Sequence, residues 1–385
     1  MKRTINAPMI EPTVNKENFI PVASPDLSAK EQKYLLDAYG SSWISSAGSY
    51  VAQFERAFAR TVSKTSYAVS VNSGTSALHL ALLALGVRDG DEVILPTFTM
   101  IASANAIRYC GATPVFVDAQ IGTWNMDVSH IEERITKKTK AIMVVHVYGL
   151  PVDMDPVLAL AKKYSLRVIE DAAEAHGAKY KGKPVGSIGD IAAFSLYANK
   201  IITTGEGGMV TTNNSKFAEK VQSLRNHAFG KKRHYWHEHV GYSYNMTNMS
   251  AAVGLGQVER FEILLHKHME HETLYRSLLK DVSGLLFQEI PAYASSACWV
   301  FGFCVNAQIF GMSRDKLRVY LARHGVETRA FFVPVHAQPA YKNVTDAQSF
   351  PVSEMLSRDG LYLPSSSQLT RRDIQHIASL LTKIQ

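Results

Sequence analysis

Cysteine is scarce in this chain of 385 residues: Cys110, Cys298 and Cys304 are the only three. Three scattered thiols supply neither a disulfide framework nor the spacing of a metal site, so the expected setting is a reducing cytoplasm with no bound metal. Long apolar runs are missing too. No stretch is long enough to span a bilayer. The opening MKRTINAPMIEPTVNKENF lacks the apolar core of a secretory leader. Internal repeats and low-complexity tracts are absent. Charged residues are limited to 19% against 46% apolar, the balance of a soluble globular protein. The length exceeds what one small core needs and suits two domains, or one large domain with an appendage.

Positive charge is in modest excess. A net charge of +7 raises nucleic acid as a partner, but the charge is spread along the chain. Its one concentration is RNHAFGKKRHYWHEHVGY, Arg225 to Tyr242. That segment reads either as a solvated surface loop or as an anion-binding loop with aromatics for a base or sugar.

What is present is an alternation of apolar strand-like runs and helix-like pieces. The runs are Tyr67–Val71, Glu92–Leu95, Pro114–Val117, Ala141–Val147, Arg167–Glu170, Ile191–Leu196 and Gly208–Thr211. Thr75–Leu85 and Pro156–Tyr164 are the clearest helices between them. Strands without strict polar alternation imply a sheet covered on both faces. The strand–helix–strand order implies an open, mainly parallel sheet of the α/β class, which binds ligands beyond the carboxyl ends of its strands.

The residues after those strand ends carry the chemistry. Gly74, Thr75 and Ser76 open a helix, where free amides and two hydroxyls make either an anion site or an ordinary cap. Asp171 stands at a strand end in IEDAAE, as a partner for a cationic ring nitrogen or as a capping carboxylate. Lys200 sits between FSLYAN and the Gly-rich turn TTGEGG. A phosphate cradle, a carboxylate and a lysine on strand ends of one sheet together match pyridoxal phosphate. The helix terminus takes its phosphate, the carboxylate keeps its pyridine nitrogen protonated, and the lysine forms a Schiff base and moves protons.

The segments NSGTSALHLAL, GDEVILPTFTMIASANAI, GATPVFVD, TKAIMVVHVYG, VIEDAAEAHGA, FSLYANKIITTGEGGMV, YNMTNMSAAVGLGQ and GVETRAFFVPVH run in order from about Trp43 to the end. This pattern resembles the DegT/DnrJ/EryC1/StrS family of sugar-nucleotide aminotransferases. The resemblance implies the fold type I (aspartate aminotransferase-like) transferase architecture. The N-terminal arm and large cofactor domain would occupy residues 1–255 and a smaller C-terminal α/β domain 256–385. Phe261–Leu279 reads as a long polar helix, and CWVFGFCVN and GVETRAFFV as strands of the smaller domain.

The resemblance also implies roles. Lys200 matches the Schiff-base lysine, Asp171 the partner of the pyridine nitrogen, and Glu174 the contact to the ring hydroxyl. Gly74, Thr75 and Ser195 match phosphate contacts, with Ser76 as an addition. Met100 stands where an aromatic residue usually stacks on the ring; a thioether can cover a ring face, and Phe98 could share the role. Asn245 matches an asparagine that reaches the neighbouring subunit's phosphate, which implies a homodimer with shared sites. Arg329 and His336 match positions near the nucleotide-sugar. By the same likeness Lys231, Arg233, His234, Tyr235 and Trp236 become a substrate loop, and nucleic acid falls behind.

A sister branch carries histidine at the lysine position and dehydrates its sugar; Lys200 therefore favours transamination. L-glutamate is the expected donor and a nucleotide-linked 4-keto-6-deoxy sugar the acceptor. WISSAGSYVAQFE and DMDP resemble the subgroup that acts on the GDP-linked mannose derivative, with dTDP- and UDP-linked sugars as alternatives. A lyase or aldolase on the same fold, and a non-catalytic cofactor-binding protein, are the rival classes.

Overall fold

The computed structural model describes residues 13–15, 19–230, 233, 235–343 and 349–384. Its centre is a seven-stranded sheet. In chain order the strands are β1 (Tyr67–Val71), β2 (Glu92–Pro96), β3 (Thr113–Val117), β4 (Thr139–Val145), β5 (Arg167–Asp171), β6 (Ile191–Ser195) and β7 (Gly208–Thr212). Across the sheet the order is β1-β7-β6-β5-β4-β2-β3. β7 alone runs antiparallel to its neighbours, β1 and β6. The cause is local: no helical run separates β6 from β7. A loop returns directly, as an antiparallel neighbour permits and a parallel one does not.

Both faces of the sheet are covered, which explains the nearly continuous apolar strands. In β4, Ala141 and Met143 pack into one cluster and Ile142 and Val144 into another. The first face carries α3 (Gly74–Ala84), α4 (Ala102–Tyr109) and α6 (Ser215–Arg225), through residues such as Leu80, Ile107 and Val221. The second carries α5 (Met154–Tyr164) through Val157 and Ala161. The helices α2 (Ser49–Phe58), α7 (Asn248–Glu259) and α8 (Phe261–Leu279) contribute Phe54, Phe58, Ala251 and Leu264 to a cluster with Phe194.

A second, antiparallel sheet is ordered Leu285–Phe287, Gly302–Val305, Gly360–Tyr362, Arg329–Ala330. Its core joins Phe303 and Leu361 to Tyr275 and Leu279 of α8 and to Ile374 and Ile377 near the C-terminus. The central sheet lies wholly before residue 255 and this one wholly after it, while α7 runs across that position.

Three expected strands are shorter than the sequence suggested, GVETRAFFV being strand only over Arg329–Ala330. CWVFGFCVN is strand only over Gly302–Val305, because the amides of Ala297 and Trp299 bond to Gly149 and Tyr148 instead of to a strand. Ala141–Val147 ends at Val145, where His146 to Gly149 turn back on themselves. Gly149 is required there. Its φ is +97°, and a Cβ would stand 3.0 Å from the amide nitrogens of Cys298 and Trp299. No helix among the described residues is long and apolar enough to cross a membrane.

Candidate active site

β1 leads through Asn72 and Ser73 into α3. Ser73 caps the helix, accepting the Ser76 amide at 3.1 Å. The Ser76 hydroxyl donates to Asn72 Oδ1 at 2.6 Å and lies 2.8 Å from the Ser73 hydroxyl, so it braces the turn. The Thr75 hydroxyl has no partner among the described residues. With the first-turn amides it forms an anion cradle, as the helix terminus predisposes. Gly74 lies against Ser195 at the end of β6: a Cβ on it would meet Ser195 Cβ at 2.9 Å. The Gly-rich turn serves the same corner. A Cβ on Gly208 would stand 2.2 Å from the Ser73 carbonyl oxygen, so only glycine lets β7 pass the cradle.

Lys200 lies on the β6–β7 loop. The loop is closed by Leu196, whose amide donates to the Gly207 carbonyl at 2.8 Å and whose carbonyl accepts from the Thr204 amide at 3.0 Å. Burial pulls the Lys200 ammonium below the usual lysine range, against the opposing pull of Glu174 and Asp171.

Asp171 ends β5 and is buried. Its Oδ2 accepts from the Ser103 hydroxyl at 2.7 Å and its Oδ1 from the Ala173 amide at 3.1 Å. Burial raises its pKa, opposed by Ser103, Ala173, Lys200 and His146. Glu174 is buried one turn on, and its Oε2 accepts from the Tyr148 amide at 2.9 Å. Burial pushes it up to about 7, against the attraction of Lys200. One amine and two carboxyl groups thus meet at the carboxyl ends of β5 and β6.

Met100 is half-exposed on the turn after β2, its sulfur accepting from the Ala102 amide at 3.0 Å. Phe98 is fully buried against Tyr148, Phe331 and Phe332, so Met100 is the open side chain of that turn. His336 comes close to the strand ends, with Nδ1 2.7 Å from the Thr97 hydroxyl. Arg329 lies on the surface, ion-paired to Glu327 at 2.6 Å. Asn245 donates to Asn226 Oδ1 at 2.9 Å, so within one chain its amide is tied to the basic loop rather than to the cradle.

Much of the described part of that loop, including Tyr235, Trp236 and Val240, is exposed. Its turn is held by a bridge between Phe229 and His237. The Arg233 guanidinium stands 5.0 Å from the centre of the Trp236 ring, and Tyr235 and Trp236 are exposed. Lys231 and His234 lie outside the described residues.

Three neighbours of the site escaped the sequence reading. Ser103 could have been found, since it lies four residues after Thr99 on the first turn beyond β2, and the two hydroxyls are 3.0 Å apart. Tyr148, whose backbone is left-handed at φ 56°, and Trp299, whose ring covers Lys200, carry no local signal.

With this geometry in place, comparison with known proteins is informative. The family described as the DegT/DnrJ/EryC1/StrS aminotransferase family matches residues 25–382. GDP-perosamine synthase of Escherichia coli O157:H7 is 44% identical over 365 residues, which are 95% of this chain and 98% of that protein. GDP-perosamine synthase of Caulobacter vibrioides is 43% identical over 367 residues, 95% of this chain and 98% of that one. Among solved structures, Spr1654 from Streptococcus pneumoniae in a PMP-form superposes with a TM-score of 0.89 at 30% identity, covering 95% of this chain and 97% of that one.

Proposed function

This chain belongs to the DegT/DnrJ/EryC1/StrS aminotransferase family, and we propose that it moves the amino group of L-glutamate to C4 of GDP-4-keto-6-deoxymannose, giving GDP-perosamine. The class, a pyridoxal phosphate sugar aminotransferase, comes with the family. The nucleotide and sugar are inferred from the two GDP-perosamine synthases. The observation that carries the reading is the Lys200 amine, on a half-buried side chain, within the field of two buried carboxyl groups, Asp171 and Glu174.

The residues fit the cofactor. The cradle at Gly74 and Ser195 is kept open by a missing Cβ, and the Thr75 hydroxyl faces no partner among the described residues. When bound, pyridoxal phosphate would supply an aldehyde carbon that takes up and later returns the amino group, and a protonated ring that takes up electrons. The amides of Gly74 and Thr75, with the hydroxyls of Thr75 and Ser195, hold its phosphate. Ser76 acts behind them by fixing the turn. Asp171 would hold a proton on the ring nitrogen, Glu174 would bond the ring hydroxyl, and Met100 would cover a ring face. Lys200 anchors through Nζ. As a free amine, Nζ would move the proton at the donor's α-carbon. Arg329, His336 and the loop with Lys231, Arg233, His234, Tyr235 and Trp236 hold the nucleotide-sugar, whose pyrophosphate calls for cations. Asn245 completes the site of the second subunit in a homodimer.

The test is incubation of the full-length protein with pyridoxal phosphate, L-glutamate and a panel of GDP-, dTDP- and UDP-linked 4-keto-6-deoxy sugars, with products identified by mass and NMR. GDP-perosamine and 2-oxoglutarate are the expected products. Amination of only a dTDP- or UDP-linked sugar would overturn the nucleotide assignment. Turnover of an amino acid with no sugar would indicate a lyase or aldolase, and a cofactor spectrum unmoved by glutamate a binding protein.

A further inference from the structure

Lys200 Nζ stands 3.5 Å from the centre of the Trp299 ring. Among the described residues the amine makes no hydrogen bond and no ion pair, so the indole face is its direct neighbour. Trp299 is buried and fixed from several sides. Its Nε1 donates to the carbonyl of Asn199, the residue before Lys200, at 2.7 Å. Its own amide donates to the Tyr148 carbonyl at 3.1 Å, an approach that Gly149 leaves open. Its ring leans on Tyr148 and Tyr362, with centroids 6.3 and 6.4 Å away. The indole cannot swing aside without breaking these contacts.

We propose that Trp299 is a positioning residue for Lys200: its π face carries the amine end of the lysine, and its Nε1 bond to Asn199 fixes that face relative to the lysine's own backbone. The proposal rests on the reading of Lys200 as the anchoring lysine. Its physical basis is the attraction of an ammonium to the face of an aromatic ring, which grows as the pair loses water. A lysine displaced from the cofactor would otherwise be a long, flexible chain in a cavity. Against the indole it waits in one place for the proton it must move.

The other groups facing the amine do not replace this contact. Asp171 and Glu174 act on it through the field, without a hydrogen bond, and His176 lies behind them. Across the cavity stand Asp26, His268 and Tyr362. Asp26 is held by Arg260 and Lys267, and His268 Nδ1 is 3.1 Å from the Cys298 carbonyl oxygen.

The contact is read on the lysine itself. In the full-length protein freed of cofactor, the pH dependence of Lys200 methylation by formaldehyde and cyanoborohydride gives the amine's apparent pKa by peptide mass. Trp299→Leu is expected to lower it by about 1 unit. Trp299→Phe, which keeps a weaker π face but loses the bond to Asn199, should shift it clearly less. An unchanged pKa in Trp299→Leu, or equal shifts in both variants, would overturn the proposal. Biosynthetic replacement of tryptophan by a fluorotryptophan series keeps shape and N–H while draining the ring face. The Lys200 pKa should fall with each added fluorine, and a flat series overturns the proposal even where Trp299→Leu fails to fold. Borohydride reduction of the holoenzyme with peptide mapping separates the two readings. No adduct on Lys200 removes the anchoring role, whereas the pKa series reports on the Trp299 contact alone.

Discussion

The hydroxyl of Ser103 donates to Oδ2 of Asp171 at 2.7 Å, and this is the one side-chain hydrogen bond that carboxylate receives among the described residues. It favours the ionised form in a position where burial disfavours it. A hydrogen bond to a charged group is worth about 1.5–3 kcal/mol. Ser103→Ala should therefore lower kcat/KM roughly tenfold or more. Asp171→Asn, which removes the charge itself, should cost roughly a hundredfold or more. Steady-state kinetics on both variants check the ranking. Wild-type kinetics in Ser103→Ala would mean that Asp171 needs no such support.

Lys200→Ala should abolish turnover and remove the borohydride-reducible cofactor adduct, because among the described residues lining this corner Lys200 is the one lysine. Near wild-type turnover in this variant would sink the assignment.

How much of this site the sequence shows depends on where its parts lie along the chain. The cradle, Asp171 and Lys200 each follow directly on a buried strand, so strand ends located them. The long polar helix Phe261–Leu279 was legible to the residue, and its buried stripe begins at Phe261 and ends at Leu279. GVETRAFFV was not: its strand in the sheet is only Arg329–Ala330, and Val326 makes an isolated bridge to Ile20. Phe331 instead turns into the aromatic cluster with Trp124 and Tyr148. Trp299 was invisible for a related reason. It reaches Lys200 from a hundred residues away in the chain through its bond to Asn199, and only tertiary packing brings such a pair together.

Glu174 carries a pH signature. Its pKa, ordinarily 4.5, is pushed up to about 7 by burial. It is a carboxylic acid below that value and an anion above it. A pH titration of activity or cofactor absorbance should show an ionisation near 7 in the wild type. Glu174→Gln keeps an oxygen for the Tyr148 amide but cannot ionise, so that step should vanish from the curve. Persistence of the step in Glu174→Gln would assign it to another group.

Three buried histidines predict the acid limit of stability. His79 and His268 are pushed down to about 4 and His176 to about 3, all by burial. Their folded pKa values lie below the ordinary 6.5, so their contribution is complete above 6.5. It is lost as the pH falls toward 4 and below, where the unfolded chain takes up protons the folded chain refuses. Glu174 has the opposite sign, since its raised pKa makes stability fall as the pH rises from 4.5 through about 7. Asp171, also raised by burial, has the same sign as Glu174, but three histidines outweigh these two carboxyl groups, and urea midpoints should fall between pH 6.5 and 4. Neither ring nitrogen of His176 has a partner of good hydrogen-bond geometry among the described residues, and the ring sits between Phe58 and Phe194. His176→Phe should therefore raise stability by about 1 kcal/mol and flatten the acid slope. A steeper slope in that variant would contradict the buried neutral state.

The shared site is tested by mixing two defective subunits. Asn245 donates to Asn226 within its own chain, beside a largely exposed loop. If it instead serves the neighbour's phosphate, each site takes its lysine from one subunit and its asparagine from the other. In a mixed dimer of Lys200→Ala and Asn245→Ala chains, one site then carries both defects and the other carries neither. The intact site should restore activity well above that of either parent after subunit exchange. Asn245→Ala alone should weaken cofactor retention roughly tenfold or more, the loss of a hydrogen bond to a charged phosphate, and leave the fold intact. If each subunit uses only its own asparagine, the two defects fall in separate sites. Every site with a lysine then lacks its asparagine, and mixing cannot raise activity above the Asn245→Ala level.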